Sequence, residues 1–429
     1  MTRLIMLYLA AQLLVVDVTN AQQLPGTKPL TLEGDIASHL VDGVDRFLLR
    51  QLESTMDARA RYWNRDSSSA EAYVKSVASN RERLAEITGV VDERKSFTDL
   101  DIIARTDGPV EAAKSDLFTA YNVRWPAVRD INGIGLLLKP AKPNGAYVIA
   151  IPDADQTPEM ISGLAEGIPA EQQFARRFAE SGFTVVVPAI ISRLYGPRNN
   201  RAKMTTREFL YRSSYELGRH LIGFEIQKVL AVVDWCESRN DSDVQIGVVG
   251  YGEGGLLALY SAALDTRIDA TLVSGYFDSR QDMWSEPVSR NVYGLLDQFG
   301  DAELASLIAP RSLIIEAAKG PEFELPSEGG APASLDTPDP KVVSSEVARA
   351  KKLIGNEQLD ALSLIVSGDG YGVFPSEKAL QSVAEAVLPN SKIAAVGSAP
   401  KLCRELTDVQ ARESQQAHEI DAHTQWLLT

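Results

Sequence analysis

The sequence predicts an α/β protein built on a mostly parallel sheet with helices on both faces, and three observations predict it. Short apolar runs rich in β-branched residues recur at Tyr147–Ile151, Phe183–Val187, Ile246–Val249, Ala270–Val273, Leu313–Glu316 and Leu362–Val366. Stretches of helical period stand between or after them, such as Ala170–Glu180, Glu216–Cys236 and Ser376–Val387, and this alternation calls for parallel strands joined by crossover helices. The third observation is Val244–Leu264, VQIGVVGYGEGGLLALYSAAL, which reads as strand, tight glycine turn and apolar helix. Glycines stand there where a turn needs positive φ and where strand and helix must approach closely.

Taken in order, Met1–Ala21 reads as a signal peptide. Arg3 supplies the positive start, Leu4–Val16 is apolar apart from Gln12, and Thr19-Asn20-Ala21 puts small residues before a cleavage after Ala21. The apolar run is shorter than the ~20 residues a membrane span needs, and no later stretch is long and apolar enough to cross. The expectation is a secreted or periplasmic protein without a membrane span after cleavage.

Residues 22–95 read as an N-terminal helical extension. Leu40, Val44, Phe47, Leu48, Leu52 and Met56 fall on one helical face, ended by Tyr62-Trp63. A second helix runs from Ser69 through Tyr73, Val77, Leu84 and Ile87 to a stop at Gly89. Both are expected to cap the sheet.

Residues 96–390 read as the main domain. Leu100–Arg105, Tyr121–Val128 and Ile131–Lys139 open it as strands, the last two joined at Arg129-Asp130 as a hairpin. Ile190–Arg212 is a long insertion, and Lys319–Pro340 reads as a surface loop. Residues 391–429 form a C-terminal helical tail, with an amphipathic stretch at Leu406–Leu428. It reaches Thr429 without a stop signal, so a chain that continues and one that ends there are equally expected.

Apolar residues make up 45% of the chain, ample for a large core, and the formal net charge is −15. That charge argues against nucleic acid and against anionic membranes as partners. The two cysteines, Cys236 and Cys403, are too few for a disulfide framework. No zinc-ligand spacing occurs, so neither metal nor cofactor is expected.

The turn Gly250-Tyr251-Gly252-Glu253-Gly254-Gly255 has the spacing of a nucleophile elbow, small-x-nucleophile-x-small. Gly250 and Gly254 hold the small positions, and Gly252 holds the position of the attacking side chain. With its flanking elements the stretch resembles the α/β-hydrolase superfamily. GYGEGG looks like the elbow of the dienelactone hydrolases, where a cysteine stands in place of Gly252, and the exported context with N-terminal helices resembles the acetyl xylan esterases. The resemblance covers residues 96–388.

The resemblance implies three catalytic positions: a nucleophile at Gly252, an acid after Leu313–Glu316 with Glu322 the better and Glu316 the other candidate, and a histidine near Tyr371. Glycine offers no attacking atom, and a tyrosine titrates near ~10, too high for ready general-base work at neutral pH. The four histidines, His39, His220, His418 and His423, all lie outside the loop after Leu362–Val366. In a protease template, loss of the nucleophile alone costs on the order of 10⁶ in kcat. What the layout keeps is oxyanion geometry: the N–H of Glu253, with one from the Ala154–Asp155 region, is placed to bind a carbonyl oxygen or an anion, and binding alone leaves about 10³–10⁴ over water.

Further candidates each carry a plainer alternative. Glu253 is either a base for water at the empty Gly252 site or a helix N1 acid favoured by the dipole. His220 is either a swung-in imidazole or a helix histidine. Asp153 and Asp155 either bind a cation or sugar hydroxyls, or shape the turn. Ser274 lacks an elbow of its own. Tyr251, Tyr276, Phe277 and Trp284 form either a sugar-stacking wall or ordinary core. Arg193, Arg198 and Arg201 either line the cleft or sit on a solvated loop.

Three functions follow. The first is a ligand-binding or scaffolding pseudo-hydrolase whose partner is a small-molecule or carbohydrate ester. The second is a working ester hydrolase with Glu253, or an acid from the 316–322 region, as an unusual base. The third is a structural envelope protein.

Overall fold

A computed structural model describes residues 25–28, 31–104, 106, 108–198, 201–239, 244–355 and 360–429. The expected signal peptide lies outside the described residues, as does Arg105 at the end of the first expected strand. The chain divides into two compact units, Met1–Gln51 and Leu52–Thr429. Most of a helix, Ile36–Ala58, belongs to the first, and its entry is fixed by Asp35, whose carboxylate accepts from the Ala37 N–H (3.0 Å) and the Ser38 hydroxyl (2.7 Å).

The second unit carries the strands β1 (Asp101–Ile102), β2 (Ala113–Lys114), β3 (Phe118–Val128), β4 (Ile131–Pro140), β5 (Tyr147–Ile151), β6 (Thr184–Pro188), β7 (Tyr195–Arg198), β8 (Ala202–Thr205), β9 (Ile246–Tyr251), β10 (Ala270–Ser274), β11 (Ser312–Ala317), β12 (Phe323–Leu325), β13 (Ala333–Leu335), β14 (Leu362–Val366) and β15 (Lys401–Leu402). The main sheet has the order β14-β11-β10-β9-β5-β6-β4-β3-β2-β15, with β1 on β3. Its run from β14 to β6 is parallel throughout, and the antiparallel strands gather at the other end. The expected hairpin is β3–β4, turning at Arg129 with φ 41°.

Because side chains alternate along a strand, each strand feeds two cores. Ile149, Val248 and Ile315 face helices Leu221–Ser238, Glu253–Leu264, Asp301–Ile308 and Pro340–Ile354. Val148, Val249 and Ile314 face helices Phe174–Glu180 and Glu377–Val387. The helices at Ala70–Ser76 and Ala78–Thr88 cap the first core through buried Tyr73, Val77 and Leu84, and the Tyr73 hydroxyl donates to the Ser306 carbonyl at 2.9 Å.

Three stretches differ from expectation. The insertion is a β7–β8 hairpin followed by a helix, Thr206–Tyr215, capped by the Thr205 hydroxyl. The next helix starts at Leu221 rather than Glu216, because Gly218 adopts φ 68° and His220 is extended. The acidic loop Lys319–Pro340 carries the β12–β13 hairpin. Cys236 is buried in helix Leu221–Ser238, Cys403 follows β15, and both are free thiols.

Strand register brings the candidate residues to one sheet edge. Tyr251, Ser274 and Glu316 stand side by side at the C-terminal ends of β9, β10 and β11. In open α/β sheets ligands bind at that edge.

Candidate functional site: a filled elbow

The elbow forms as the glycine pattern requires. Gly252 sits at φ 56°, ψ −117°, a conformation that strains any other residue, and its N–H donates to the Ser274 carbonyl at 3.0 Å. A side chain on Gly250 would overlap the Gly254 carbonyl, and one on Gly254 would overlap the Ile151 carbonyl. Strand and helix are packed so closely that both small positions are compulsory.

A side chain at Gly252 has no room. Its Cβ would overlap the Asp153 carboxylate and come within 2.9 Å of Pro321 Cγ. Asp153, only 2% exposed, fills the hollow expected for an oxyanion. The Glu253 N–H donates to its Oδ1 at 2.8 Å and the Asp155 N–H to its Oδ2 at 3.1 Å. These are the backbone groups expected to receive a carbonyl oxygen, so the expectation of a free oxyanion hole at Asp155 and Glu253 is corrected: the chain's own carboxylate holds both donors. Ala154 between them is buried among apolar neighbours.

Arg193 locks this arrangement. Its guanidinium donates to Asp153 at 2.7 Å, to Asp155 at 2.8 Å and to Glu253 at 3.3 Å, and it lies over the Phe323 ring at 5.0 Å. The solvated-loop reading of Arg193 is therefore corrected, since 6% of its side chain meets solvent. Asp153 and Asp155 are ion-paired with this guanidinium, and the Asp155 N–H to Asp153 bond shapes the turn, the plainer of the two readings. Burial works to raise the Asp153 carboxyl pKa, but Arg193 and the two N–H donors outweigh it and hold it below the usual range.

Glu253 is the first residue of helix Glu253–Leu264, as the helix N1 reading expects, but it is buried and ion-paired rather than open to a water. It is 1% exposed and accepts from Arg207 (2.9 Å), Arg290 (2.9 Å) and Arg193 (3.3 Å). Burial opposes its charge, yet the three guanidiniums keep the carboxylate well below its ordinary pKa. The network continues outward. Arg207 pairs with Glu225 at 2.8 Å, and Glu225 also accepts from the Ile191 N–H at 2.8 Å. Arg290 and Arg280 share Glu286 at 3.0 and 2.9 Å.

Of the other expected positions, Glu316 shares the sheet edge with Tyr251 and Ser274, while Glu322 and Tyr371 are exposed. Burial raises the carboxyl pKa of Glu316, which accepts from the Ser376 N–H at 3.0 Å, at the start of helix Glu377–Val387. Glu322 lies on the surface and accepts from the Thr337 hydroxyl at 2.6 Å. Tyr371 is 56% exposed. Tyr251 stacks on Phe374 at 4.9 Å and donates to the Lys319 carbonyl at 2.9 Å.

His220 is a helix cap. Its Nδ1 accepts from the Ile222 N–H at 3.1 Å, its Nε2 lies 3.0 Å from the Asn291 carbonyl, and burial lowers its pKa to about 4. Tyr276 and Phe277 are core residues while Trp284 is 56% exposed, so the expected aromatic wall is not assembled. Ser274 is fully buried, and Arg198 turns to the Thr206 hydroxyl at 2.9 Å. Sequence reasoning missed Arg207, Arg290, Glu225 and Pro321. The one available signal was arithmetic: Glu253 sits at an apolar helix start, and an acid buried there demands cations from elsewhere.

Fold and elbow together define the class: this is the α/β-hydrolase fold. The family model described as "Dienelactone hydrolase family" matches residues 139–299, the span from the end of β4 past the elbow. The "Putative hydrolase YtaP" of Bacillus subtilis (strain 168) is 31% identical over 126 residues, 27% of this chain and 40% of that protein. The chain thus spans about two fifths of the curated relative it matches. A crystal structure described as a putative acetyl xylan esterase of Bacteroides fragilis NCTC 9343 superposes with TM-score 0.56 at 15% identity, covering 80% of this chain and 85% of that one. That likeness concerns the fold. Among the described residues, no helix is long and apolar enough to cross a membrane.

Proposed function

We propose that the chain is a non-hydrolytic protein of ester-hydrolase descent, exported through Met1–Ala21, which keeps the hydrolase scaffold to bind a ligand rather than to cleave it. One observation carries the reading: a nucleophile at Gly252 would have to occupy the space that Asp153 and Pro321 fill. The buried Asp153–Arg193 pair supports it further. It leaves neither an unclaimed oxyanion donor nor an unclaimed basic carboxylate at the elbow.

The test is nitrophenol release from nitrophenyl acetate by the mature protein, its N-terminus expected at Gln22 by mass spectrometry. The wild type is expected to match buffer, and Gly252→Ser is expected to gain nothing because its hydroxyl would meet the Asp153 carboxylate. Wild-type turnover above buffer that disappears in Glu253→Gln would overturn the reading in favour of a hydrolase with an unusual base. Calorimetric binding of acetylated xylan fragments without turnover separates a ligand-binding role from a purely structural one.

A further inference from the structure

No residue of the helix Ile36–Ala58 is buried. Ile36, Leu40, Val41, Val44, Phe47 and Leu48 are each between 44% and 67% exposed. At 3.6 residues per turn these six fall within an arc of roughly 140°, one continuous apolar stripe. Asp42, Asp45, Arg46, Arg50 and Glu53 lie outside that arc. We propose that the stripe pairs with the same stripe of a second copy of the chain, the two helices antiparallel about a two-fold axis at Val44.

The size of the stripe points to a partner. An unfolded chain exposes about 1.45 Å² per dalton, and on that scale the six exposures amount to roughly 550 Å². That lies towards the top of the ~300–600 Å² of the largest apolar patch on a typical monomer. Two such stripes laid face to face would cover about 1,100 Å², just past the ~1,000 Å² that a specific interface has to clear. Helices in proteins owe most of their stability to packing of the apolar face, and pairing supplies that packing.

The pattern of the stripe selects a second copy. Its spacing reads the same in both directions from Val44: Leu40 and Leu48 stand four residues to either side, Val41 and Phe47 three. A two-fold interface requires one patch that is complementary to itself. About Val44, Leu40 of each copy meets Leu48 of the other, Val41 meets Phe47, and Val44 meets Val44. The charges argue against an anionic membrane as the cover, since Asp35, Asp42, Asp45, Glu53 and Asp57 outnumber Arg46 and Arg50. Stripe-to-stripe pairing leaves all of them in water.

The inference is independent of whether the elbow hydrolyses esters. It is tested on the mature protein, beginning at Gln22, by sedimentation over a range of micromolar concentrations, where a reversible dimer is expected. Val44→Asp and Val44→Lys, which set like charges against each other on the axis, are each expected to weaken the dimer by about tenfold or more. Mixing the two variants should restore it, which also shows that both are folded. In a Cys403→Ser background, Leu40→Cys should form a disulfide with Leu48→Cys more readily than with itself, the mark of the antiparallel register. All three positions are more than half exposed, so none of these changes strains a core. A monomer at every concentration, including one that binds phosphatidylglycerol vesicles instead, would overturn the proposal. So would a dimer untouched by both Val44 substitutions, or Leu40→Cys that joins itself as readily as it joins Leu48→Cys.

Discussion

At the elbow, Asp153, Glu253 and Arg290 leave 4% or less of their surface to solvent, whereas on the loop after β14 Tyr371 and Val373 leave more than half. The resemblance assigns both regions to one catalytic layout, nucleophile and oxyanion donors in the first, histidine in the second. The first has the elbow backbone with charged side chains packed against it, and the second presents an exposed tyrosine at the position the resemblance gives to histidine. The difference follows from packing. Gly250 and Gly254 are pinned by carbonyl groups that a Cβ would overlap, so the turn persists whatever its chemistry. No such contact encloses the exposed ring of Tyr371. The space above the turn is filled by carboxylates and guanidiniums.

The largest effect is expected from breaking the filling. Arg207 is completely buried between Glu225 and Glu253, and Arg207→Leu would leave Glu225 with the Ile191 N–H as its remaining hydrogen bond. Removing one member of a buried ion pair typically costs about 3–5 kcal/mol, and a loss of that order is expected in urea unfolding. Arg207→Leu combined with Glu225→Leu should recover part of it, since the stranded charge is then gone. A single variant within ~0.5 kcal/mol of wild type, the range of unremarkable surface changes, would show that the network contributes nothing to stability and that the filled-elbow comparison is wrong.

A smaller effect concerns pH, and two groups act with opposite sign. Asp153 and Glu253 are held below the ordinary carboxylate range. Their contribution is present above the unfolded value of about 4 and is lost as pH falls through the folded values. Asp301, at the start of helix Asp301–Ile308, is fully buried with one oxygen unpartnered, and burial outweighs Arg280 to push its carboxyl up to about 7. A raised carboxyl stabilises the fold below the unfolded pKa, and that contribution fades as pH rises towards the folded one. Stability is therefore expected to decline between about pH 4 and 7 on account of Asp301. In Asp301→Asn, urea midpoints measured across that window should lose this decline while the acid limb stays. An unchanged slope would remove Asp301 from the account.

How far these features were legible in the sequence depended on whether backbone or side chain decided them. The sheet, the elbow and the helix after it could be read because periodicity and glycine spacing are backbone matters: Tyr147–Ile151 and Leu362–Val366 coincide with β5 and β14. The insertion was harder. Its prolines and basic residues read as loop, and only the tertiary setting lets Pro197 stand in a two-stranded hairpin away from the main sheet. The contents of the elbow were least legible, because Arg193, Arg207 and Arg290 reach Glu253 from 60, 46 and 37 residues away, and no local pattern announces such meetings. The sequence did show that Gly252 lacks an attacking atom; it did not show that Asp153 stands where one would go.

The smallest effect is expected at the open end of the comparison. Tyr371→Ala removes an aromatic ring that is 56% exposed, in a loop held by backbone bonds: the Tyr371 N–H donates to the Gly368 carbonyl at 2.9 Å and the Gly372 N–H to the Ser367 carbonyl at 2.7 Å. Because the substitution leaves those bonds in place and opens no enclosed cavity, it should alter unfolding stability by no more than ~0.5 kcal/mol. Tyr371→His is the sharper form of the same test. It returns an imidazole to the loop, yet with Gly252 empty and the oxyanion donors bound to Asp153, nitrophenyl acetate hydrolysis should remain at the level of a free surface histidine. Turnover that saturates with substrate in Tyr371→His would mean that the two regions still work together, and that the elbow is less completely filled than its contacts imply.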